Sequence, residues 1–151
     1  MNWYRKSQTQ LDWNHINDNL DYHIQMILEG KKPAGDFSRN EYGDDYSRVL
    51  ETVDYVKATR PDLRVVHYLH REGYIEGHII GKPNAVQSIM DGMRRVYEGR
   101  ELTKGHRMWG EGTGHSKEEI DDFMNRLQSS GVLNYPDKAE PTTPIIEFNE
   151  V

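Results

Sequence analysis

The chain is predicted to fold as α+β: a small antiparallel sheet, built on a hairpin at about residues 64–80, packed against about four helices. Three observations carry this. Residues 65–70 and 74–80 are rich in β-branched and aromatic side chains, and Arg71-Glu72-Gly73 between them suits a three-residue loop with Gly73 left-handed. Elsewhere apolar residues recur at spacings of three and four, the mark of helices with one buried side. The length of 151 residues fits one domain, assigned to residues 1–135, with an extended tail over 136–151.

The first helix is expected from about 9 to 29, with Trp13, Ile16, Leu20, Ile24 and Ile27 on one stripe. Gly30 suits a left-handed cap and Pro33 blocks continuation. Residues 32–43 hold Pro33, Gly35, Asp36, Ser38, Asn40 and Gly43, and read as a loop. Its carboxylates Asp36 and Glu41, with Asp44 and Asp45, lack calcium-loop spacing and read as solvated charge. A second helix follows over about 44–58, with Tyr46, Val49, Leu50, Val53 and Val56 inward. Arg60, pushed toward extended backbone by Pro61, comes after its end.

The third helix is expected over about 83–98. Pro83 opens it, Val86, Ile89, Met90, Met93, Val96 and Tyr97 face the core, and Gly99 closes it. Arg94 and Arg95 near its end suit the negative helix terminus, or a clamp for a carboxylate or phosphate. The fourth helix spans about 117–128, with a Ser116–Glu119 capping box and Ile120, Phe123, Met124 and Leu127 inward. Between these two helices a short strand is expected in the first half of 101–115, then a glycine-rich loop through Gly110, Gly112 and Gly114. After Gly131 the tail carries Pro136, Pro141 and Pro144, then Ile145, Ile146 and Phe148. These apolar residues can add a strand to a sheet edge, in this subunit or in a neighbour, the second giving a homo-oligomer.

In the hairpin, a three-residue loop sets His70 opposite Tyr74, Tyr68 opposite Glu76 and Val66 opposite His78. Val65, Leu69, Ile75 and Ile79 then form a buried side together with His67, expected as a hydrogen-bonded core histidine. A two-residue turn at Glu72-Gly73 instead sets His67 opposite His78 and mixes apolar with polar on both faces, so patterning favours the longer loop. The other face shows Tyr68, His70, Tyr74, Glu76 and His78. It reads as a ligand or partner surface, as a catalytic or metal-binding pair of histidines, or as ordinary cross-strand pairs on a half-exposed sheet.

A rival assignment makes 62–71 a helix after Pro61. The string LHREGYIEG then resembles the end of a recognition helix entering a wing in winged-helix proteins. That resemblance implies a nucleic-acid-binding regulator offering Arg64, His67, His70 and Arg71 to the groove. The net charge of −6 opposes it, because such binding depends on neutralising phosphates.

The segment Arg107 to Ser116, with Gly112, Gly114 and His115, leads into a helix N-terminus, a place receptive to anions. It lacks the Gly-Lys-Ser/Thr of a phosphate loop, and an ordinary flexible cap also fits. The chain has no cysteine, so disulfides and thiolate chemistry are excluded. No leader pattern and no run near the ~18 apolar residues of a membrane span are visible, and mean hydropathy is −0.90. A soluble cytoplasmic protein is expected, without metal or cofactor. In length and composition the chain resembles accessory proteins of phages and mobile elements. The leading expectation is a non-enzymatic binding module. It would take a protein partner or small anionic ligand on the hairpin face and the glycine-rich loop. The alternatives are the winged-helix regulator and a small phosphoesterase or metal-dependent hydrolase on the hairpin histidines.

Overall fold

In the computed structural model, residues 20–129 and 145–151 are described. Chain order is helix α1 (Leu20–Leu28), strand β1 (Ala34–Ser38), short helix α2 (Arg39–Tyr42), a 3-10 turn (Gly43–Asp45) and helix α3 (Tyr46–Thr59). Strands β2 (Arg64–His70) and β3 (Ile75–Gly81) follow, then helices α4 (Pro83–Glu98), α5 (Leu102–Gly112) and α6 (Lys117–Ser129), and strand β4 (Ile145–Glu150). The fold is α+β, with one antiparallel sheet in the order β1-β3-β2-β4.

Strand periodicity sends alternate side chains to opposite faces, and here both faces are covered. On one, Phe37, Val65 and Ile80 pack with Leu20, Ile24 and Ile27 of α1 and Tyr46, Val49, Val53 and Val56 of α3. On the other, Ala34, Val66, Tyr68 and Ile79 pack with Val86, Ile89, Met90 and Met93 of α4. Helix α5 lies on α4, and a smaller cluster of Leu102, Ile120 and Met124 joins α5 to α6. The expected sheet with one covered side is therefore a layer buried between helices.

Several expectations hold in detail. Helix α4 has the expected bounds, Pro83 in its first turn and left-handed Gly99 at its end. Gly30 ends α1 with positive φ. In the capping box the Glu119 amide donates to Ser116 Oγ at 3.2 Å, and the Ser116 amide donates to Glu119 Oε1 at 2.9 Å. The tail supplies β4, which pairs with β2 of its own chain, so this strand is accounted for without a neighbouring subunit. The expected first-helix residues 9–19, Gly131 and the proline stretch lie outside the described residues.

Four readings are corrected. Residues 62–71 are not a helix: Arg64–His70 is a central strand, and the recognition helix implied by the winged-helix resemblance is absent. The expected loop at 32–43 contains β1 and α2. Ala-Gly-Asp-Phe-Ser has little strand propensity of its own, and pairing along β3 overrides it. Residues 101–115 hold no strand, and the expected glycine loop shrinks to the turn around Gly114, because Leu102–Gly112 is helix α5. Its glycines permit close helix packing. A Cβ on Gly105 would come within 3.0 Å of the Gly92 carbonyl oxygen, and one on Gly112 within 2.8 Å of the Ala85 carbonyl oxygen. Finally, Leu50 and Phe123, expected inside, are exposed.

The hairpin register combines the two alternatives weighed from sequence. At the tip the His70 amide donates to the Tyr74 carbonyl at 2.8 Å, and Leu69 faces Ile75, as a three-residue loop requires. A bulge then places Tyr68 opposite Gly77 and His67 opposite His78, the register of the shorter turn. Glu76 is the extra residue, and beyond it the side chains of β3 exchange faces.

Candidate functional site

The bulge takes apart the row expected on one face. His70 and Tyr74 stay together at the tip, their rings stacked at 4.5 Å with Tyr74 exposed. Tyr68 is buried on the α4 face. His78 is buried on the opposite face, hydrogen-bonded through Nδ1 to Tyr46 Oη at 2.5 Å, with the His67 ring edge-on at 5.9 Å. Burial, followed by the nearby His67 and Arg39, lowers the His78 pKa to about 4. The imidazole is therefore neutral near pH 7. The two outward histidines of the catalytic and metal readings, His70 and His78, do not share a face. Among the described residues no group of three or more His, Cys, Asp or Glu side chains is arranged to hold a metal ion.

The residues of the expected glycine loop also separate. Arg107 forms an ion pair with Asp121 of α6 at 2.8 Å. Gly112 is buried against α4, Gly114 is a left-handed residue beside Pro33, and Ser116 caps α6. His115 lies 3.5 Å from Glu119. Arg94 stands over the Phe148 ring and Arg95 pairs with Glu101, so neither is left as a clamp.

The residues that do converge were mostly missed by sequence reasoning. A recess of about 660 Å³ lies between β1 and its flanking segments on one side and α5 and α6 on the other. From the β1 side come His23, Lys32, Asp36, Glu41 and Tyr42. From the α5–α6 side come His106, Trp109, His115, Glu119 and Phe123. Only His115 was a candidate from the sequence.

Asp36, read from sequence as solvated charge, is instead half-buried and tied into the fold. The Tyr68 hydroxyl donates to its Oδ1 at 2.5 Å. Tyr68 reaches it from β2 by crossing β3 over Gly77, where a Cβ would meet the phenol and the Phe37 carbonyl oxygen. Burial raises the Asp36 pKa to about 7, and the charges of Glu41 and Glu76 add to the rise; hydrogen bonding from Tyr68 and Trp109 pulls the other way. The same burial and the Asp36 charge hold the Tyr68 phenol protonated, well above its ordinary pKa.

Trp109 reaches this place because α5 packs closely on α4. A Cβ on Gly92 would lie 2.6 Å from the Trp109 amide nitrogen. His106 lies edge-on to Phe123, with ring centroids 5.5 Å apart. Lys32 Nζ is 3.3 Å from His23 Nδ1, and burial lowers its pKa. The sequence signals were present but faint. Gly105 and Gly112 are seven apart, hence on one helix face, and Gly77 sits opposite an aromatic residue. The arrangement is suited to holding a flat molecule against rings while a carboxyl group contacts its polar edge.

Comparison with known proteins gave no match to a protein-family model, to a curated protein or to a solved structure.

Proposed function

We propose that this protein is a non-enzymatic binding module for a small organic molecule, held in the recess between β1 and the α5–α6 pair. The observation that carries the reading is the recess itself. At about 660 Å³ it is the size of small-molecule sites, and it joins aromatic walls to a few inward polar groups, the usual composition of such sites. Among the described residues the lining offers no hydroxyl poised as a nucleophile. The one hydroxyl among the described aliphatic lining residues, on Thr113, donates to the Gly110 carbonyl at 2.9 Å, and so is engaged within its own helix end rather than poised by a base. The hairpin tip is a weaker candidate, because its stacked pair stands on a convex turn. Among the described residues no helix is long and apolar enough to cross a membrane.

Backbone amide spectra recorded against a set of small aromatic fragments test this. Shifts are expected to cluster on Gly35, Asp36, Trp109, Gly110 and Phe123. Trp109→Ala should weaken the best fragment by roughly tenfold, the scale of a buried aromatic contact. Shifts confined to His70 and Tyr74, or unaltered affinity in Trp109→Ala, would move the site elsewhere.

A further inference from the structure

We propose that the recess selects a flat cation rich in N–H donors, of the amidinium or protonated amino-heterocycle type, seated against Trp109 and Phe123 with its donors directed to Asp36. The proposal rests on the recess being the binding site and names the class of ligand it takes.

Three observations converge on that class. The first is the carboxylate. An ionised carboxylate offers about four acceptor positions. Tyr68 takes one on Oδ1, and Trp109 lines the recess with Asp36. Tyr68 arrives from β2 and fixes the group, while acceptor capacity remains on the side lining the recess. Two parallel N–H groups on a planar cation match that geometry as a guanidinium matches a carboxylate.

The second is charge. Asp36, Glu41, Glu119 and Asp122 line the recess against Lys32 and Arg126. Burial weakens the charged form of Lys32 further. With four carboxylates against two basic side chains, the balance of charge opposes an anion and favours a cation. The small anionic ligand suggested by the glycine segment loses its support, since the Thr113, Gly114 and His115 amides donate to carbonyls of α5 and the Ser116 and Glu119 amides are used in the capping box.

The third is the rings. Trp109 and Phe123 present aromatic surface beside the carboxylates, and aromatic faces attract cations as well as flat apolar ligands. A molecule carrying both features uses every part of the lining.

The test compares benzamidine and benzoate, which share a shape and differ in the sign of their charge, by amide chemical-shift titration of the intact chain. Benzamidine is expected to bind roughly tenfold or more tightly than benzoate, a difference of about 1.4 kcal/mol, with shifts at Asp36, Trp109 and Phe123. Asp36→Asn should remove most of that preference while its amide spectrum stays folded. The wild-type comparison stands alone if that variant fails to fold. Benzoate binding as tightly as benzamidine, benzamidine shifts away from the recess, or no binding of either at millimolar concentration would each overturn the charge assignment. Neutral fragments that still shift the recess residues would then leave the binding-module reading intact, so the two failures are distinct.

Discussion

Two buried tyrosines, one on each face of the sheet, meet different fates. Tyr46 and Tyr68 each make a 2.5 Å hydrogen bond to a titratable group 32 residues away, His78 and Asp36 respectively. Those partners sit on the adjacent strands β3 and β1. On the α1/α3 face the pair is sealed: Tyr46 is 2% exposed and His78 3%, and burial keeps the imidazole neutral. On the α4/α5 face the phenol is equally buried, but its partner lies at the sheet edge and lines a recess. The same bond is enclosed on one face, and on the other it holds a carboxyl group at the wall of a recess.

The contrast breaks most severely at Gly77. Any side chain there displaces Tyr68 and strikes the Phe37 carbonyl oxygen at 2.6 Å. Gly77→Ala is expected to cost about 3 kcal/mol or more, as overpacking against backbone does. Denaturant unfolding measures it, and a loss below about 1 kcal/mol would show that Tyr68 leaves its groove easily. In that case the path from β2 to Asp36 would not be the rigid one described.

Protonation separates the two pairs next, and with opposite sign. For His78 the folded pKa, about 4, lies below the ordinary 6.5. The unfolded chain binds the proton first as pH falls, so this group makes stability drop between about pH 6.5 and 4. For Asp36 the folded pKa, about 7, lies above the ordinary 3.8. The folded chain holds its proton longer, so this group makes stability drop as pH rises from about 4 to 7. Over their shared window the two oppose each other, and the wild-type stability curve should be comparatively flat. His78→Gln should expose the Asp36 slope and lose stability as pH rises. Asp36→Asn should expose the His78 slope and, above pH 7, exceed the wild type by about 1–3 kcal/mol. Thermal unfolding at several pH values reads both. Parallel curves for the two variants would contradict the difference between sealed and open pairs.

How far the sequence made this visible follows from what decides each part. Helix α4 and the capping box of α6 were legible because periodicity, Pro83, Gly99 and the Ser116–Glu119 spacing act locally. The hairpin was legible from its β-branched runs, but not the bulge at Glu76, since both registers satisfy part of the pattern and the strands on either side decide between them. Helix α5 was hidden because three glycines in eleven residues oppose a helix, and only the close approach of α4 and α6 justifies them. The recess was hidden for the same reason. Asp36 lines the recess through β1, whose existence depends on a partner strand more than 40 residues away at Ile79.

The finest discrimination concerns the hydrogen bond itself. In Tyr68→Phe the ring still crosses Gly77, and only the donor to Asp36 is lost. That donor stabilises the carboxylate, so its removal should raise the Asp36 pKa by about one unit, the lower end of what a hydrogen bond to a charged group supplies. Tyr46→Phe, on the other face, should leave Asp36 where it was. Carboxyl carbon chemical shifts followed against pH resolve the change. If the two variants move Asp36 alike, the carboxyl responds to the burial of the whole sheet and not to the phenol that reaches it. If only Tyr68→Phe moves it, the crossing phenol sets the proton affinity of the group that lines the recess. Affinity for a cation there should then become more sensitive to pH near neutrality, because a smaller fraction of Asp36 is ionised.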